Sequence, residues 1–230
     1  MKPYYVVIPA AGYGSRMKAG KNKQFITIEG VPLLIHTLRV FQEDSLCEGI
    51  VLAVNEAERN EMHKMTADAG ITKVIGIVPG GRERQQSVFE GLKALSGNPV
   101  VLIHDGARPF IRTETLRRLI EAVDKDVGAV AGVPVKDTVK EAVMGSVQKT
   151  LDRSLLWLIQ TPQAFYLEDI RSAHKLAEDD NHPATDDASL FEYAGKTVKV
   201  VEGTYENIKV TTPEDLMFAE AIIRKREEER

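Results

Sequence analysis

Short apolar runs alternate with helix-like segments through the first part of this chain. Residues 4–8, 50–54 and 73–78 have the length and composition of buried strands, and residues 31–41 and 57–69 between them are typical of helices. Strands alternating with helices favour a parallel, doubly wound sheet. Ligands of such sheets bind beyond the carboxyl ends of the strands, so the loops at those ends are where we expect function.

The same alternation continues to residue 135 and then changes. Residues 136–153 contain two short, polar, alternating runs around Met144-Gly145-Ser146, which predicts a β-hairpin. Neither face is apolar enough to bury on the parent domain, and an isolated hairpin is marginally stable in water. We therefore expect an arm that clasps a second subunit in a homodimer.

The remaining elements return to the α/β pattern. We expect a strand over 155–163, helices over 167–177 and 186–193, a strand over 197–201, and a last helix beginning at Thr212-Pro213. Thr185 is a candidate N-cap for the helix at 186, which would explain this residue without a ligand. No linker or repeat indicates a second unit, so we predict one domain over residues 1–230, with the 136–153 arm inserted in it.

Composition limits the class of protein. The chain has 230 residues, a formal net charge of -4 and 43% hydrophobic residues, and no apolar run approaches the roughly 18 residues of a membrane span. The mild acidity argues against a nucleic-acid surface. The lone cysteine, Cys47, excludes an intramolecular disulfide, and the five histidines show no metal-ligand spacing. We expect a cytoplasmic protein that binds neither membrane nor nucleic acid.

A glycine-rich loop follows the first strand. From Pro9 to Ile28 there are four cations and no acid, which suits a polyphosphate. A Rossmann dinucleotide loop fails because Met17 occupies the place of its third glycine, and a P-loop fails on spacing and because Asn22 replaces the magnesium-binding hydroxyl. A nucleotidyltransferase loop remains, in which Arg and Lys grip a triphosphate.

Two further loops follow strands. Gly80-Gly81 lies in a second glycine-containing loop that leads into a helix, and from the sequence alone such a pair could form a tight turn. Asp105, followed by Gly-Ala-Arg at a predicted strand end, is a place for a divalent cation on nucleotide phosphates, or else a turn cap. His104 is expected to be a packed strand residue rather than a ligand.

Eight motifs, taken in order, carry a resemblance that spans nearly the whole chain. They are residues 9–17 with Lys23-Gln24, Gly80-Gly81 through Arg84 with Ser87-Val88, residues 104–109, Asp137-Thr138, Asp152-Arg153, Thr161-Pro162-Gln163, Thr185-Asp186, and residues 207–211. Together they resemble the 2-C-methyl-D-erythritol 4-phosphate cytidylyltransferase family. Asn22 departs from the proline that this family often has before the lysine.

The resemblance implies a Rossmann-like, mostly parallel sheet of the nucleotide-diphospho-sugar transferase type. It also implies transfer of CMP from CTP to 2-C-methyl-D-erythritol 4-phosphate, giving 4-diphosphocytidyl-2-C-methyl-D-erythritol and pyrophosphate. The substrate phosphate would attack the α-phosphorus directly, so catalysis would be positioning and charge neutralisation. Mg²⁺ or another divalent cation would be held by Asp105.

The resemblance further implies roles for individual residues. For Arg153 and Lys209, an exposed charge near a strand is the competing explanation. The implied catalytic residues are Arg16, Lys23, Arg153 and Lys209; the nucleotide would be bound by Ala10, Ala11, Gly12, Gly14, Gly80, Gly81 and Ser87; the acceptor would be bound by Arg108, Thr138, Arg153, Thr185 and Lys209, with Thr138 and Arg153 donated by the arm of the neighbouring subunit.

Two other functions stay open at this stage. A ribitol 5-phosphate cytidylyltransferase would carry nearly the same nucleotide motifs and differ in its acceptor pocket. A catalytically inactive nucleotide-binding protein could keep the fold alone, although the presence of Arg16, Lys23, Asp105 and Lys209 together argues against it.

Overall fold

The computed structural model describes residues 1–12 and 23–228, with the backbone alone at Lys23. The strands are β1 (Tyr4–Pro9), β2 (Thr27–Ile28), β3 (Val31–Pro32), β4 (Cys47–Val54), β5 (Val74–Pro79), β6 (Val100–Ile103), β7 (Val127–Pro134), β8 (Lys140–Val143), β9 (Ser146–Thr150), β10 (Trp157–Tyr166) and β11 (Thr197–Glu202). The helices are α1 (Leu33–Glu43), α2 (Arg59–Asp68), α3 (Arg84–Lys93), α4 (Thr113–Ala122), α5 (Leu167–Asp179), α6 (Asp187–Tyr193) and α7 (Pro213–Glu228).

Within the described residues, seven strands form the central sheet in the order β11-β7-β10-β6-β1-β4-β5. Neighbouring strands are parallel except at β10, which runs antiparallel to both β6 and β7. The α/β fold with a mostly parallel sheet is therefore confirmed. The strand order reverses direction beside β1, and the carboxyl ends of β1, β5 and β6 open on the same edge.

Helices cover both faces of the sheet because successive strand residues point to opposite sides. On β1, Val6 and Ile8 belong to a core cluster with Leu34 and Leu38 of α1 and several residues of α4. Val7 belongs to a second cluster on the other face, built from residues of α3, α5 and α6. Burial on both faces explains why the central strands are almost continuously apolar.

Strands β8 and β9 form the predicted hairpin. Their turn has positive φ at Met144 (48°) and Gly145 (79°), which a two-residue type I′ turn requires. Every residue of both strands is exposed, including Val143 and Val147. The hairpin is confirmed, and its contact with a second subunit stays a prediction.

The starts of helices α6 and α1 differ from the sequence-based prediction for identifiable reasons. Helix α6 begins at Asp187, and its N-cap is Asp186, whose carboxylate accepts the N–H of Ser189 at 3.0 Å. The expectation that Thr185 caps this helix is wrong, because the carboxylate one residue later already satisfies that donor. Helix α1 begins at Leu33, two residues late, because the small β2-β3 hairpin takes up the residues before it. No helix in the described ranges is both long and apolar enough to cross a membrane.

Candidate active site

A cavity opens at the carboxyl ends of β1, β5 and β6. Each of these strands contributes the residues that directly follow it, and the segment before α7 contributes one cation. The lining residues are Pro9, Ala11, Gly12, Gln24, Gly81, Arg82, Glu83, Arg84, Ser87, Asp105, Gly106 and Lys209. Several of the predicted nucleotide-binding and metal-binding positions are thus brought together.

The loop after β5 packs closely against the loop after β1. A Cβ built on Gly80 would lie 2.5 Å from Cβ of Ala11 and 2.9 Å from Oγ of Ser87, so glycine is required by close approach. The N–H of Gly81 donates to Oγ of Ser87 at 3.1 Å, which holds the loop against the first turn of α3. Ala10, by contrast, is 1% exposed and packs in the core, so its side chain does not line the cavity.

We expect Gly80→Ala to raise the Kd for CTP about tenfold, because overpacking against the Ala11 methyl must displace one of the two loops. Isothermal titration with CTP measures this directly. Gly76→Ala is the matched control, since a Cβ at Gly76 in the preceding strand β5 would meet only the Val51 methyls at 3.9 Å. Equal affinities of the two variants would contradict a nucleotide-binding role for this loop.

Three cationic side chains converge on Asp105. Nζ of Lys209 lies 2.7 Å from Oδ2, Nε of Arg108 lies 3.6 Å from the same oxygen, and Nε of Arg84 lies 3.4 Å from Oδ1. Burial alone would raise the pKa of the Asp105 carboxyl, but the charges of Arg84, Lys209 and Arg108 lower it well below its usual range. Asp105 is therefore ionised at neutral pH.

A buried hydrogen-bond chain orients the backbone on either side of Asp105. The N–H of Asp105 donates to Oγ1 of Thr161 at 2.9 Å, and this oxygen lies 3.1 Å from Nδ1 of His104. The carbonyl of Arg108, 2.9 Å from Nε2 of His104, can only accept, so Nε2 carries the proton and Nδ1 accepts from the Thr161 hydroxyl. Burial lowers the pKa of His104 to about 4, which agrees with this neutral tautomer. His104 is a packed residue, as expected, and it also holds the turn that carries Asp105 and Arg108.

Sequence reasoning missed the roles of several polar residues at this site. The side-chain amide of Asn207 donates to the backbone carbonyl of Thr161 at 2.9 Å. The backbone carbonyl of Asn207 accepts from Nη1 of Arg108 at 2.8 Å. Arg84 pairs with Asp187 at 2.8 Å in addition to Asp105. Residues Arg84, His104, Thr161 and Asn207 all belong to the motifs that carry the family resemblance, and that membership is the signal that could have found them.

Three predicted acceptor residues lie apart from this cluster within the chain. Thr138, Arg153 and Thr185 are exposed, and none of them lines the cavity. Nη1 of Arg153 donates to the carbonyl of Lys136 at 2.5 Å, at the base of the hairpin. Gly14, Arg16 and the side chain of Lys23 lie outside the described residues.

A divalent cation fits Asp105 if substrate phosphates supply the other ligands. Among residues 1–12 and 23–228 there is no group of three or more His, Cys, Asp or Glu side chains that could hold a metal by itself. Mg²⁺ is commonly bound through one or two carboxylates together with phosphate oxygens and water, and Asp105 is an ionised carboxylate that lines the cavity.

Known proteins with the same sequence pattern identify the family. The family model for 2-C-methyl-D-erythritol 4-phosphate cytidylyltransferase matches residues 4–225. The chain belongs to this family. The protein of that name from Halalkalibacterium halodurans is 53% identical over 224 residues, covering 97% of this chain and 98% of the relative. The one from Bacillus velezensis is 52% identical over 222 residues, covering 96% of each.

Solved structures agree with this assignment. The crystal structure of 4-diphosphocytidyl-2C-methyl-D-erythritol synthase from Anaerococcus prevotii superposes with a TM-score of 0.84 at 32% identity, covering 97% of this chain and 96% of that one. The resemblance inferred from the motifs is thus confirmed. The chain is an enzyme, a cytidylyltransferase of the nucleotidyltransferase class.

Proposed function

We propose that this chain transfers CMP from CTP to 2-C-methyl-D-erythritol 4-phosphate through the cavity at the ends of β1, β5 and β6. An oxygen of the acceptor phosphate forms a bond to the α-phosphorus, and the bond between that phosphorus and the bridging oxygen of the β-phosphate breaks. Pyrophosphate leaves with the electron pair. The observation that carries this proposal is Asp105 with Arg84, Arg108 and Lys209 gathered beside the glycine-rich loops.

The charges of this cluster suit two anionic substrates. Three cations surround two carboxylates, Asp105 and Asp187, which leaves a positive excess that phosphate groups offset. Arg108 is 14% exposed and anchored on the Asn207 carbonyl, so it is a fixed donor. Lys209 is 36% exposed, and its ammonium can turn from Asp105 to a phosphate oxygen. We assign Lys209 to the acceptor phosphate and to charge neutralisation in the transition state.

A bound Mg²⁺ would neutralise charge on the phosphate oxygens of CTP, and Asp105 is the residue that would hold it. Arg16 and Lys23 remain our candidates for gripping the triphosphate. Ala11, Gly12, Gly81 and Ser87 would surround the nucleotide, because they line the cavity beside Asp105. No protein nucleophile is required, since the acceptor phosphate is itself an anion.

The hairpin arm would complete the acceptor site from a second copy of the chain. Thr138 and Arg153 are exposed at the base of the arm, away from the cavity of their own chain. Large apolar side chains are exposed around the arm, at Val143, Met144, Val147, Leu155, Leu158 and Ile159. Such a patch is typical of a surface covered by another subunit, which supports a homodimer.

Release of pyrophosphate tests the proposed function. With CTP and Mg²⁺, we expect rapid release on adding 2-C-methyl-D-erythritol 4-phosphate and release at least about a hundredfold slower with ribitol 5-phosphate, since the acceptor site must match hydroxyl positions as well as phosphate. Faster turnover of ribitol 5-phosphate would replace the proposed acceptor. Absence of turnover with both acceptors would indicate an inactive nucleotide-binding protein.

A further inference from the structure

We propose that Asp187 is a positioning residue for this reaction, acting through Arg84 to keep the Asp105 carboxylate available to the metal and phosphates. The inference rests on the proposed function of the cavity. The sequence alone assigned no role to Asp187 or to Arg84.

Arg84 forms ion pairs with two carboxylates at unequal distances. Its Nη1 lies 2.8 Å from Oδ2 of Asp187, whereas its Nε lies 3.4 Å from Oδ1 of Asp105. The short contact is thus made to the carboxylate outside the cavity lining, and the long contact to the one inside it. Asp187 is therefore the nearer ion-pair partner of Arg84.

Asp187 is costly to bury, and it is buried completely. Its residue is 0% exposed, and besides Arg84 it is contacted by Nε2 of His174 at 3.2 Å. Burial opposes ionisation, but the charge of Arg84 and the hydrogen bond from His174 outweigh it and lower the pKa of Asp187. Buried ion pairs are seldom better for stability than apolar side chains of similar size. The burial of Asp187 is therefore better explained by its effect on the position of Arg84.

Without Asp187, Arg84 would turn onto Asp105. A guanidinium prefers to bind a carboxylate through two parallel N–H groups. The chain itself shows this geometry where Arg117 has a single acidic partner: its Nη1 and Nη2 bond the two oxygens of Asp44 at 2.9 and 2.5 Å. A bidentate Arg84 would occupy both oxygens of Asp105, and it would compete with Lys209 and with any bound cation.

The same pair joins the two substrate loops. Arg84 is the first residue of α3, directly after the Gly80-Gly81 loop, and Asp187 is the first residue of α6, two residues after Thr185. Gln85 strengthens the link, because its side-chain carbonyl accepts the N–H of Ala184 at 3.3 Å. Asp187 therefore restrains Arg84 and also keeps the proposed nucleotide loop and the proposed acceptor loop at a fixed distance from each other.

The test compares Asp187→Asn with Asp44→Asn in the full-length protein. Both variants remove the acid of an arginine pair whose carboxylate is 1% or less exposed, and Asp44 lies away from the cavity. Mn²⁺ binding is measured by electron paramagnetic resonance with CTP present and the acceptor absent, and kcat and KM are measured separately. We expect similar losses of Tm in both variants. Only Asp187→Asn should weaken Mn²⁺ binding about tenfold and lower kcat by about ten- to a hundredfold.

A double variant separates positioning from folding. If Asp187 acts by restraining Arg84, Arg84→Gln combined with Asp187→Asn removes the competing guanidinium, and Mn²⁺ affinity should return to within about threefold of wild type. The proposal would be overturned if the double variant bound Mn²⁺ as weakly as Asp187→Asn does. If the single variant does not fold, a double variant that binds Mn²⁺ about tenfold more weakly than wild type would overturn it. So would wild-type Mn²⁺ binding and kcat in Asp187→Asn. Failure of the proposed function is a different result, namely no turnover by the wild-type enzyme.

Discussion

Asp105→Asn is expected to lower kcat by about 100- to 1,000-fold while leaving the fold intact. Asparagine keeps the shape of the side chain and its amide cannot replace an ionised ligand for Mg²⁺. The backbone N–H at this position would still bond Thr161, because that contact does not involve the side chain. The loss would therefore fall on charge neutralisation at the phosphates rather than on the geometry of the turn.

A second measurement gives this variant a distinctive signature. In the structure the carboxylate of Asp105 is paired with Lys209, Arg84 and Arg108, so bound phosphates would have to compete with it for these cations. Removing its charge frees these cations, so CTP measured without a divalent metal should bind as tightly as in wild type or more tightly. A variant that had simply damaged the pocket would bind CTP more weakly.

Glu83→Gln is the matched control for Asp105→Asn. Glu83 lines the same cavity, but its carboxylate is not part of the cation cluster around Asp105. Its backbone N–H donates to the side chain of Gln86 at the start of α3, a contact that Glu83→Gln leaves in place. We expect its kcat to stay within about threefold of wild type. A loss of kcat in Glu83→Gln as large as in Asp105→Asn would show that net charge of the cavity, and not Asp105 as a ligand, governs turnover.

The sheet and the site edge were predictable from the sequence because both follow from short-range patterns. The central strands are buried on both faces, so each is a nearly continuous apolar run that can be recognised alone, as in β4 and β6. Asp105 and the Gly80-Gly81 pair directly follow such runs. Parallel strands place their carboxyl ends on one edge, so the convergence of these residues needs no knowledge of packing.

The pairings around the site were not predictable in the same way. Arg84 and Asp187 are 103 positions apart, and His104 and Thr161 are 57 apart, so whether they meet depends on how α3, α6 and β10 pack. An arginine or aspartate at a helix start also has an ordinary explanation as an exposed or capping residue. Thr185 shows the difficulty at short range, since two adjacent residues could cap α6 and only the geometry assigns the cap to Asp186.

Mixing two inactive variants is expected to restore activity if the arm completes its neighbour's site. Lys209→Ala removes a cation of the cavity, and Arg153→Ala removes one at the base of the arm. Each homodimer would carry two defective sites. In a heterodimer, one site would receive both defects and the other would receive none. Random reassembly of equal amounts gives half heterodimers by two-fold symmetry, so about a quarter of wild-type activity should return.

Recovery of activity in the mixture distinguishes an active site built from two chains from a dimer in which each site is formed by one chain. If Arg153 served the cavity of its own chain, every site in every mixture would keep one defect, and activity would stay at the level of the parents. The mass by light scattering must equal two chains for the experiment to be meaningful, and a mass of one chain would contradict both the dimer and the assignment of Arg153. Lys140→Ala provides a matched control on the arm, because its Nζ bonds Oγ1 of Thr150 within the same hairpin at 2.6 Å. Mixed with Lys209→Ala, it should add its own near-normal activity without any gain beyond the sum of the two.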